Sequence, residues 1–545
     1  MKRFPSLGHS LARCEFAVAI LLTLVLIVFH FLFFFHAGPL WRDEISSLSL
    51  ATKPTFSEFW QSLTFDPFPA SYFLVLRLWH AIGLAQSDLA LRGLGLVIGL
   101  ALIGSLWLAS YLADKSPPVW ALALFAFNPL ALEVGDSLRP YGFSLIWIVL
   151  VFGLIARITF ARVTKIIALC ALIAAILSVQ SNFTNALVLF SIAAGAVVVL
   201  LSKRAWSKLF LVLGIGVSAA FSLLPYLPIM QATRDWSKIL ANENDIASVI
   251  DVARDAIATS GVFAQWIWLA LIVGTLVVAV IVTLVRRRSG EVVDVARDRI
   301  IFATTVLVVA AAVTIGFLCA AKYLVFPRYF LAVLAIGALC INSFWKAIPN
   351  QTATRTLSFC LALIVAATSL QPLSGRAHMR MTNCDKISAV VENRAGPDDL
   401  IILTSPLYGI SFQRYYQGRA NWIALPQLGD FSLHRWDLLK QAIAEPDPVP
   451  DLLSRAENVL RADHKIFLVG KLGPAPATEP EPLPPAPNSQ FGWQMEAYTN
   501  QWKSELTYSI EHRARHGTNL PVGGQESVNP FEHLGLFEVS GSREP

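Results

Sequence analysis

Apolar runs of about twenty residues, separated by short polar breaks, dominate the chain as far as residue 371. Candidate spans fall at 15–37, 89–112, 118–134, 139–158, 165–181, 184–201, 208–229, 262–285, 300–320, 326–345 and 355–371. A hydrocarbon core of about 30 Å takes about 20 residues of helix, so most runs are long enough, with 118–134 and 165–181 near the lower limit. The pattern predicts a polytopic α-helical membrane protein with about eleven transmembrane helices. A further segment, 70–85, is apolar but short, and it carries Arg77 and His80.

Beyond residue 371 the periodicity changes. Strand-like runs at 400–404, 422–425 and 466–469 alternate with helical patterns near 386–393, 410–417, 433–444 and 450–462. Such alternation predicts a small α/β domain. The chain therefore divides into a membrane domain, 1–372, and a soluble C-terminal domain, 373–545. Within the first, the loop 38–88 is expected to carry interfacial helices. A proline-rich stretch, 473–487, reads as a linker or loop. The sequence has no P-loop and no dinucleotide fingerprint.

Composition strengthens the membrane reading. Hydrophobic residues make up 55% and charged residues only 15%, whereas a soluble protein carries about a quarter charged. The net charge of +6 does not point to nucleic acid, because the basic residues concentrate in short loops between apolar runs, where they signal orientation. Place the N-terminus in the cytoplasm and let 70–85 lie along the outer surface. Lys115, Arg157, Arg162, Lys165, Lys203, Arg204, Lys208, Arg286, Arg287, Arg288, Arg297, Arg299, Lys346 and Arg355 then all face inward. A spanning 70–85 would put every later cluster outside. The segment thus reads as an interfacial helix, and the C-terminal domain as extracytoplasmic. The apolar run from Phe16 to Phe35 is too long for a signal peptide and reads as a retained first helix. No eukaryotic retention signal ends the sequence, which favours a bacterial inner membrane with the C-terminal domain in the periplasm. Six cysteines without a C-x-x-C pair suggest neither a disulfide framework nor a zinc site. His512 and His516 have helical spacing but no glutamate in the zincin position.

Candidate chemistry gathers on the outer side. Asp43 and Glu44 follow the first span directly. Two carboxylates at a membrane boundary need hydration, a partner or a metal, and partial dehydration there is expected to raise a carboxyl pKa, which suits a general base, although an interfacial helix cap explains them too. Asp66, in Asp66-Pro67-Phe68-Pro69, is explained by helix entry, yet it shares the loop with Asp43 and could flank a cation or an acceptor hydroxyl. Asp136 and Arg139 stand between two later spans. Arg139 either pairs with Asp136 or awaits an anion, and a phosphate suits its guanidinium fork. Lys322, Tyr323, Arg328 and Tyr329 lie in the last short outer loop. They fit a phosphodiester and a sugar face, or equally headgroup anchoring. The loop 230–261 holds Arg234, Asp235, Trp236 and Lys238, followed by an amphipathic pattern over 242–254 that reads as an entrance cover or a surface connection.

Together these features carry a family likeness. An acidic pair after the first span, an Asp-Pro-x-Pro stretch, Arg139-Pro140-Tyr141 opening a helix and Pro327-Arg328-Tyr329 before a late span occur in order and on one side. Over about residues 10 to 370 the chain resembles the GT-C superfamily of integral membrane glycosyltransferases. The nearest branch holds the bacterial relatives of protein O-mannosyltransferases and the lipid A aminoarabinose transferase. The resemblance implies an inverting transfer from a polyprenyl-phosphate-linked sugar to a lipid, glycan or protein acceptor. It implies that Asp43 deprotonates the acceptor, that Glu44 matches the second member of the acidic pair, and that Arg139, Lys322 and Arg328 hold the donor phosphate. The chain departs from the pattern in having Ser137 two residues before Arg139, where relatives often show a glutamate, and Asp66-Pro67-Phe68-Pro69 in place of a clean His-Pro-Pro. Whether a divalent cation takes part stays open. The rival readings are a transporter or lipid flippase, whose charges gather at mid-membrane, and a scaffold in which Asp43 and Arg139 are dispensable.

Overall fold

The computed structural model describes residues 7–240, 242–284, 291–347, 352–487, 495–524 and 526–543. Among these, nine helices are long and apolar enough to cross a membrane: Arg13–His36, Asp88–Asp114, Pro140–Phe160, Asn185–Ser202, Trp206–Arg234, Val262–Ile281, Val295–Ala321, Pro327–Ala347 and Thr356–Ala377. The protein is a multi-pass membrane protein, and these nine coincide with nine of the eleven predicted runs.

The other two runs take different forms. The predicted 165–181 is the fifteen-residue helix Lys165–Val179. The predicted 118–134 is not one helix. It runs as Val119–Ala121, a π turn over Leu122–Ala126, and a separate helix Pro129–Gly135. Pro129 has no N–H to continue the ladder and disfavours helix in the residue before it. Asn128 accordingly leaves the helix, and its side chain caps the next one by accepting from the Leu130 amide at 2.8 Å. The segment 70–85 forms the eleven-residue helix Ser71–Ala81, about 16 Å long at 1.5 Å per residue, half of what a crossing requires. Arg77 ties it down by donating to the Ala51 and Lys53 carbonyls at 3.0 and 2.7 Å. Arg286, Arg287 and Arg288 lie outside the described residues, as do the side chains of Arg355, Asp235, Trp236 and Lys238.

Glycines let three helices touch backbone to backbone. A β-carbon on Gly95 would overlap the Asp136 carbonyl, and one on Gly142 would overlap the Gly135 carbonyl. Small residues at such crossings are what membrane helices use to pack closely. The outward faces carry Leu21, Leu24, Val28, Val273 and Val277, all exposed, as a lipid-facing surface should be.

The C-terminal domain holds a five-stranded sheet in the order β2-β1-β3-β5-β4. β1 (Leu400–Leu403), β2 (Asn421–Ala424) and β3 (Lys465–Gly470) are parallel and correspond to the three predicted strands. β4 (Ala514–Leu520) and β5 (Gly535–Ser542) add an antiparallel extension that the sequence pattern did not indicate. The helices Cys384–Arg394, Pro406–Tyr415, Trp436–Ala444 and Val449–Arg461 flank the sheet, and Ile401, Ile402, Phe412, Phe467 and Val469 fill its core.

This domain sits against one end of the helix bundle. The Met381 amide donates to the Ala37 carbonyl at 2.8 Å. Arg414 and Tyr415 both bind Asp88, the latter at 2.7 Å. Asn529 reaches Glu133 at 2.8 Å, and Glu133 also accepts from Arg376 at 2.6 Å. At the opposite end of the bundle, Lys203 pairs with Asp298 at 2.6 Å and Arg299 with Asp114.

Candidate active site

The helix Arg42–Ala51 starts where the chain leaves the first span. Its first turn carries Asp43 and Glu44, favourably placed at the positive end of the helix dipole. The two carboxylates then part company. Glu44 points inward and is fully buried. It pairs with Arg92, accepts the Leu138 amide at 2.9 Å and receives the Trp41 amide at 3.3 Å. Arg92 in turn donates to the Gly38 and Pro39 carbonyls at 3.2 and 2.9 Å. Glu44 thus clamps the start of the 38–88 loop to the helix Asp88–Asp114 and to the turn before Pro140.

Asp43 points the other way and keeps 19% of its side chain exposed. Its Oδ1 lies 3.2 Å from Nε2 of His434 and 3.7 Å from Nε of Arg42. Burial opposes its charge, but the His434 hydrogen bond and the charges of Arg139, His434 and Arg42 outweigh that. They hold its carboxyl well below the usual carboxylate range, the reverse of the raised value its membrane-boundary position predicts, because its cationic partners outweigh burial.

Arg139 does not pair with Asp136. Its Nη1 is 2.6 Å from Oδ2 of Asp66 and its Nη2 3.2 Å from Oδ1, while Nη1 also donates to Ser47 Oγ at 2.9 Å and the Asp43 carbonyl at 3.2 Å. Burial pushes the Asp66 carboxyl up, against the pull of Arg139. Asp136 follows the helix Pro129–Gly135, and its side chain turns back toward the first span, where Oδ2 meets Nδ1 of His30 at 2.7 Å. Of the two alternatives for Arg139, a pair with Asp136 or an awaited anion, the first is not formed: two separate pairs, Arg139–Asp66 and Asp136–His30, stand in its place.

Beyond Arg139 an aromatic row leads to Arg328. Arg139 stacks over Phe68 at 5.2 Å, and Phe68 meets Tyr141 edge-on at 5.1 Å. Tyr141 Oη accepts from Nε of Arg328 at 3.1 Å. Arg328 lies over the Phe326 ring at 4.1 Å, and among the described residues no carboxylate pairs with it. Tyr323 stands beside Tyr329, rings 6.0 Å apart, its hydroxyl pushed up to about 12 by burial and by Tyr141. Lys322 is exposed in a left-handed turn at φ 50°, with its carbonyl accepting from the Asn242 amide at 3.0 Å. The following amphipathic stretch forms the helix Ile246–Ala258, capped by Asp245.

Asp43, Asp66, Arg139, Tyr323 and Arg328 thus converge, Lys322 lies on the surface beside them, and Glu44 and Asp136 sit behind as anchors. Sequence reasoning missed His434, His30, Arg92 and Glu532. Nothing in the pattern marks a solitary histidine in a soluble domain as the partner of a membrane-edge aspartate.

The donor set does not fit a divalent cation. Both Asp66 oxygens are engaged by Arg139, and Asp43 Oδ1 by His434 and Arg42, so of these two acids only Asp43 Oδ2 remains as a donor. Among the described residues no group of three or more His, Cys, Asp or Glu is arranged to hold a metal ion. No step is assigned through one.

No protein-family model matches the sequence, and no curated protein matches it. Solved structures do. ArnT from Cupriavidus metallidurans in the apo state is similar over 84% of this chain and 93% of that one, with a TM-score of 0.50 and 11% identity. The chain has the GT-C fold. The oligosaccharyltransferase of Archaeoglobus fulgidus, tethered to an acceptor peptide, is similar over 96% of this chain and 74% of that one (TM-score 0.46, 12% identity). AglB from the same organism, in complex with an inhibitory peptide and a dolichol-phosphate, is similar over 83% and 69% (TM-score 0.44, 11% identity). Identities this low make the likeness one of GT-C architecture, so the roles of individual residues rest on the geometry above.

Proposed function

We propose that this protein is an inverting glycosyltransferase that moves a sugar from a polyprenyl phosphate to a lipid, polysaccharide or protein acceptor. Transfer takes place at the outer face of a bacterial inner membrane, where residues 373–545 form the periplasmic domain. One observation carries the reading. An ionised, partly exposed carboxylate, Asp43, shares a rim with a guanidinium, Arg328, that no described carboxylate neutralises. The first suits a proton acceptor, the second a phosphate.

In this mechanism the acceptor hydroxyl attacks the anomeric carbon from the side opposite the phosphate. The new C–O bond forms as the C–O bond to phosphate breaks. Asp43 takes the hydroxyl proton. Its Oδ1 is held by His434 and Arg42, so Oδ2 is the oxygen that accepts the proton. Arg328, with Tyr141 and Tyr329 beside it and Tyr323 packed against Tyr329, stabilises the charge that develops on the leaving phosphate. Lys322, exposed on the same turn, meets the approaching headgroup. Arg139 and Asp66 fix the rim, and Glu44 and Asp136 hold its base. Membrane lipid surrounds the polyprenyl chain.

The test is transfer by purified protein in nanodiscs, using radiolabelled polyprenyl-phosphate sugars and native envelope extract. Wild type should transfer label and a folded Asp43→Asn variant should not. Full transfer by Asp43→Asn removes the base. Absence of both transfer and donor binding from wild type overturns the enzyme.

A further inference from the structure

The candidate base is held from the other domain. His434 stands 391 residues beyond Asp43, yet its Nε2 meets Oδ1 of Asp43 at 3.2 Å. The segment that presents it is firmly seated. Leu433 packs into the core of the membrane domain. Arg435 binds Asp430 at 2.9 Å and both oxygens of Asp437 at 2.9 and 2.7 Å, and its guanidinium lies over Phe65 of the 38–88 loop at 5.0 Å. The imidazole stacks on Trp436, with centroids 5.3 Å apart and planes 15° from parallel.

Two details separate this arrangement from a packing contact. Nδ1 of His434 is buried with no hydrogen-bond partner, so the ring commits its polar contact to Asp43 while leaving its other nitrogen unsatisfied. A histidine retained only for packing would lose less as an apolar residue. On Asp43, both recorded polar contacts fall on Oδ1, which leaves Oδ2 as the oxygen to meet substrate. Pinning one carboxylate oxygen fixes the direction of the other, and positional errors of about 1 Å cost about 100-fold in rate.

We propose that His434 is a positioning residue for Asp43, so that docking of the C-terminal domain completes the proton acceptor. The proposal rests on the reading of Asp43 as the base. The same domain grips the neighbouring residue as well. The Arg42 amide donates to Glu532 at 3.3 Å, and Nη1 of Arg42 donates to the Phe531 carbonyl at 3.2 Å. Arg42, Arg139, Arg328 and Asp66 are the other charges facing the Asp43–His434 pair.

Glutamine and asparagine separate reach from bulk. A glutamine amide nitrogen sits near the position of a histidine Nε2, and an asparagine amide nitrogen near that of Nδ1. Full-length His434→Gln, His434→Asn, His434→Ala and Asp43→Asn would be compared in nanodiscs with a radiolabelled polyprenyl-phosphate sugar and envelope extract. The expected result is a kcat loss of about 10- to 100-fold for Ala and Asn, with donor KM within about twofold and Tm close to wild type, and a return to within about fivefold for Gln. Wild-type kcat in His434→Asn, or equal losses in Gln and Asn with lowered Tm, overturns the positioning role. If His434→Ala does not fold, the Gln–Asn comparison decides alone. Full transfer by Asp43→Asn would instead sink the base itself, whatever His434 does.

Discussion

Arg139 and Asp66 form a two-point ion pair, Nη1 to Oδ2 at 2.6 Å and Nη2 to Oδ1 at 3.2 Å, between residues 73 positions apart. The pair joins the 38–88 loop to the N-cap of the helix Pro140–Phe160, and both side chains are buried. Arg139 is thereby paired, whereas Arg328 has no described carboxylate within ion-pair distance. Breaking a buried pair from one side leaves a charge without compensation, at a cost of about 3–5 kcal/mol. Asp66→Leu should therefore lower the thermal midpoint sharply in detergent. Adding Arg139→Met should recover most of it, since an apolar replacement of both partners is close to neutral. Equal midpoints for Asp66→Leu and wild type would show that the pair does not hold the loop.

Arg328 should show the opposite behaviour. It forms no ion pair with a described carboxylate and leans on Phe326 and Tyr141, and the buried Glu133, which feels its charge, keeps the pair with Arg376, so Arg328→Gln should fold. A charge-assisted contact to phosphate is worth about 1.5–3 kcal/mol, which corresponds to a loss of about 10- to 100-fold in kcat/KM for the donor. Arg328→Lys should recover part of it, because a lysine retains the charge without the fork. Steady-state transfer with varied donor decides the matter, and an unchanged kcat/KM in Arg328→Gln would move the phosphate elsewhere.

Much of this architecture was legible because a bilayer imposes a one-dimensional signal: apolar runs of a fixed length. β1 and β3 were legible for a similar reason, since Leu400–Leu403 and Ile466–Val469 are buried apolar runs. β4 was not, because Ala514–Leu520 is polar and mostly exposed, and a strand on a sheet edge with no buried face shows no alternation. Asp43 and Arg328 were found from their place at span boundaries. Their partners were not. Asp136, three residues from Arg139, looked like its mate, yet the turn before Pro140 directs it to His30, which had no sequence signal beyond being a histidine in a span. His434 and Glu532 come from the C-terminal domain, and only folding across 391 residues and more brings them to the 38–88 loop.

Glu532 predicts a pH dependence of stability. It is fully buried, bonded by Ser411 Oγ at 2.7 Å and the Arg42 amide at 3.3 Å. Burial, opposed by Arg42 and by these bonds, pushes its carboxyl from 4.5 up to about 7. The folded state therefore holds a proton that the unfolded state releases. The stability this group contributes is fully present below about pH 4.5, declines as pH rises toward 7, and is lost above that. The span of about 2.5 pH units corresponds to on the order of 3 kcal/mol. Limited proteolysis of the C-terminal domain across this range should show cleavage rising with pH. In Glu532→Gln, which keeps the shape without the titration, the rise should vanish; a wild-type pH profile in that variant would assign it to another group.

The glycine contacts predict that the site can be disturbed from behind. At Gly142 a β-carbon would overlap the Gly135 carbonyl oxygen and press on Ile98. The obstruction is main chain, so no side-chain rotation relieves it, and the helix Pro140–Phe160 must shift away from the helix Pro129–Gly135. Arg139 precedes that helix directly, and Leu138 donates to Glu44. A shift of even 1 Å would lengthen both the Arg139–Asp66 and the Leu138–Glu44 contacts. Overpacking of this kind costs about 1–3 kcal/mol, so Gly142→Ala should lower the thermal midpoint and reduce transfer together. Gly104, on the neighbouring helix Asp88–Asp114, has nothing within 4 Å of an added β-carbon, and Gly104→Ala should leave both unchanged. Equal behaviour of the two variants would mean that close backbone approach is not what sets the position of Arg139.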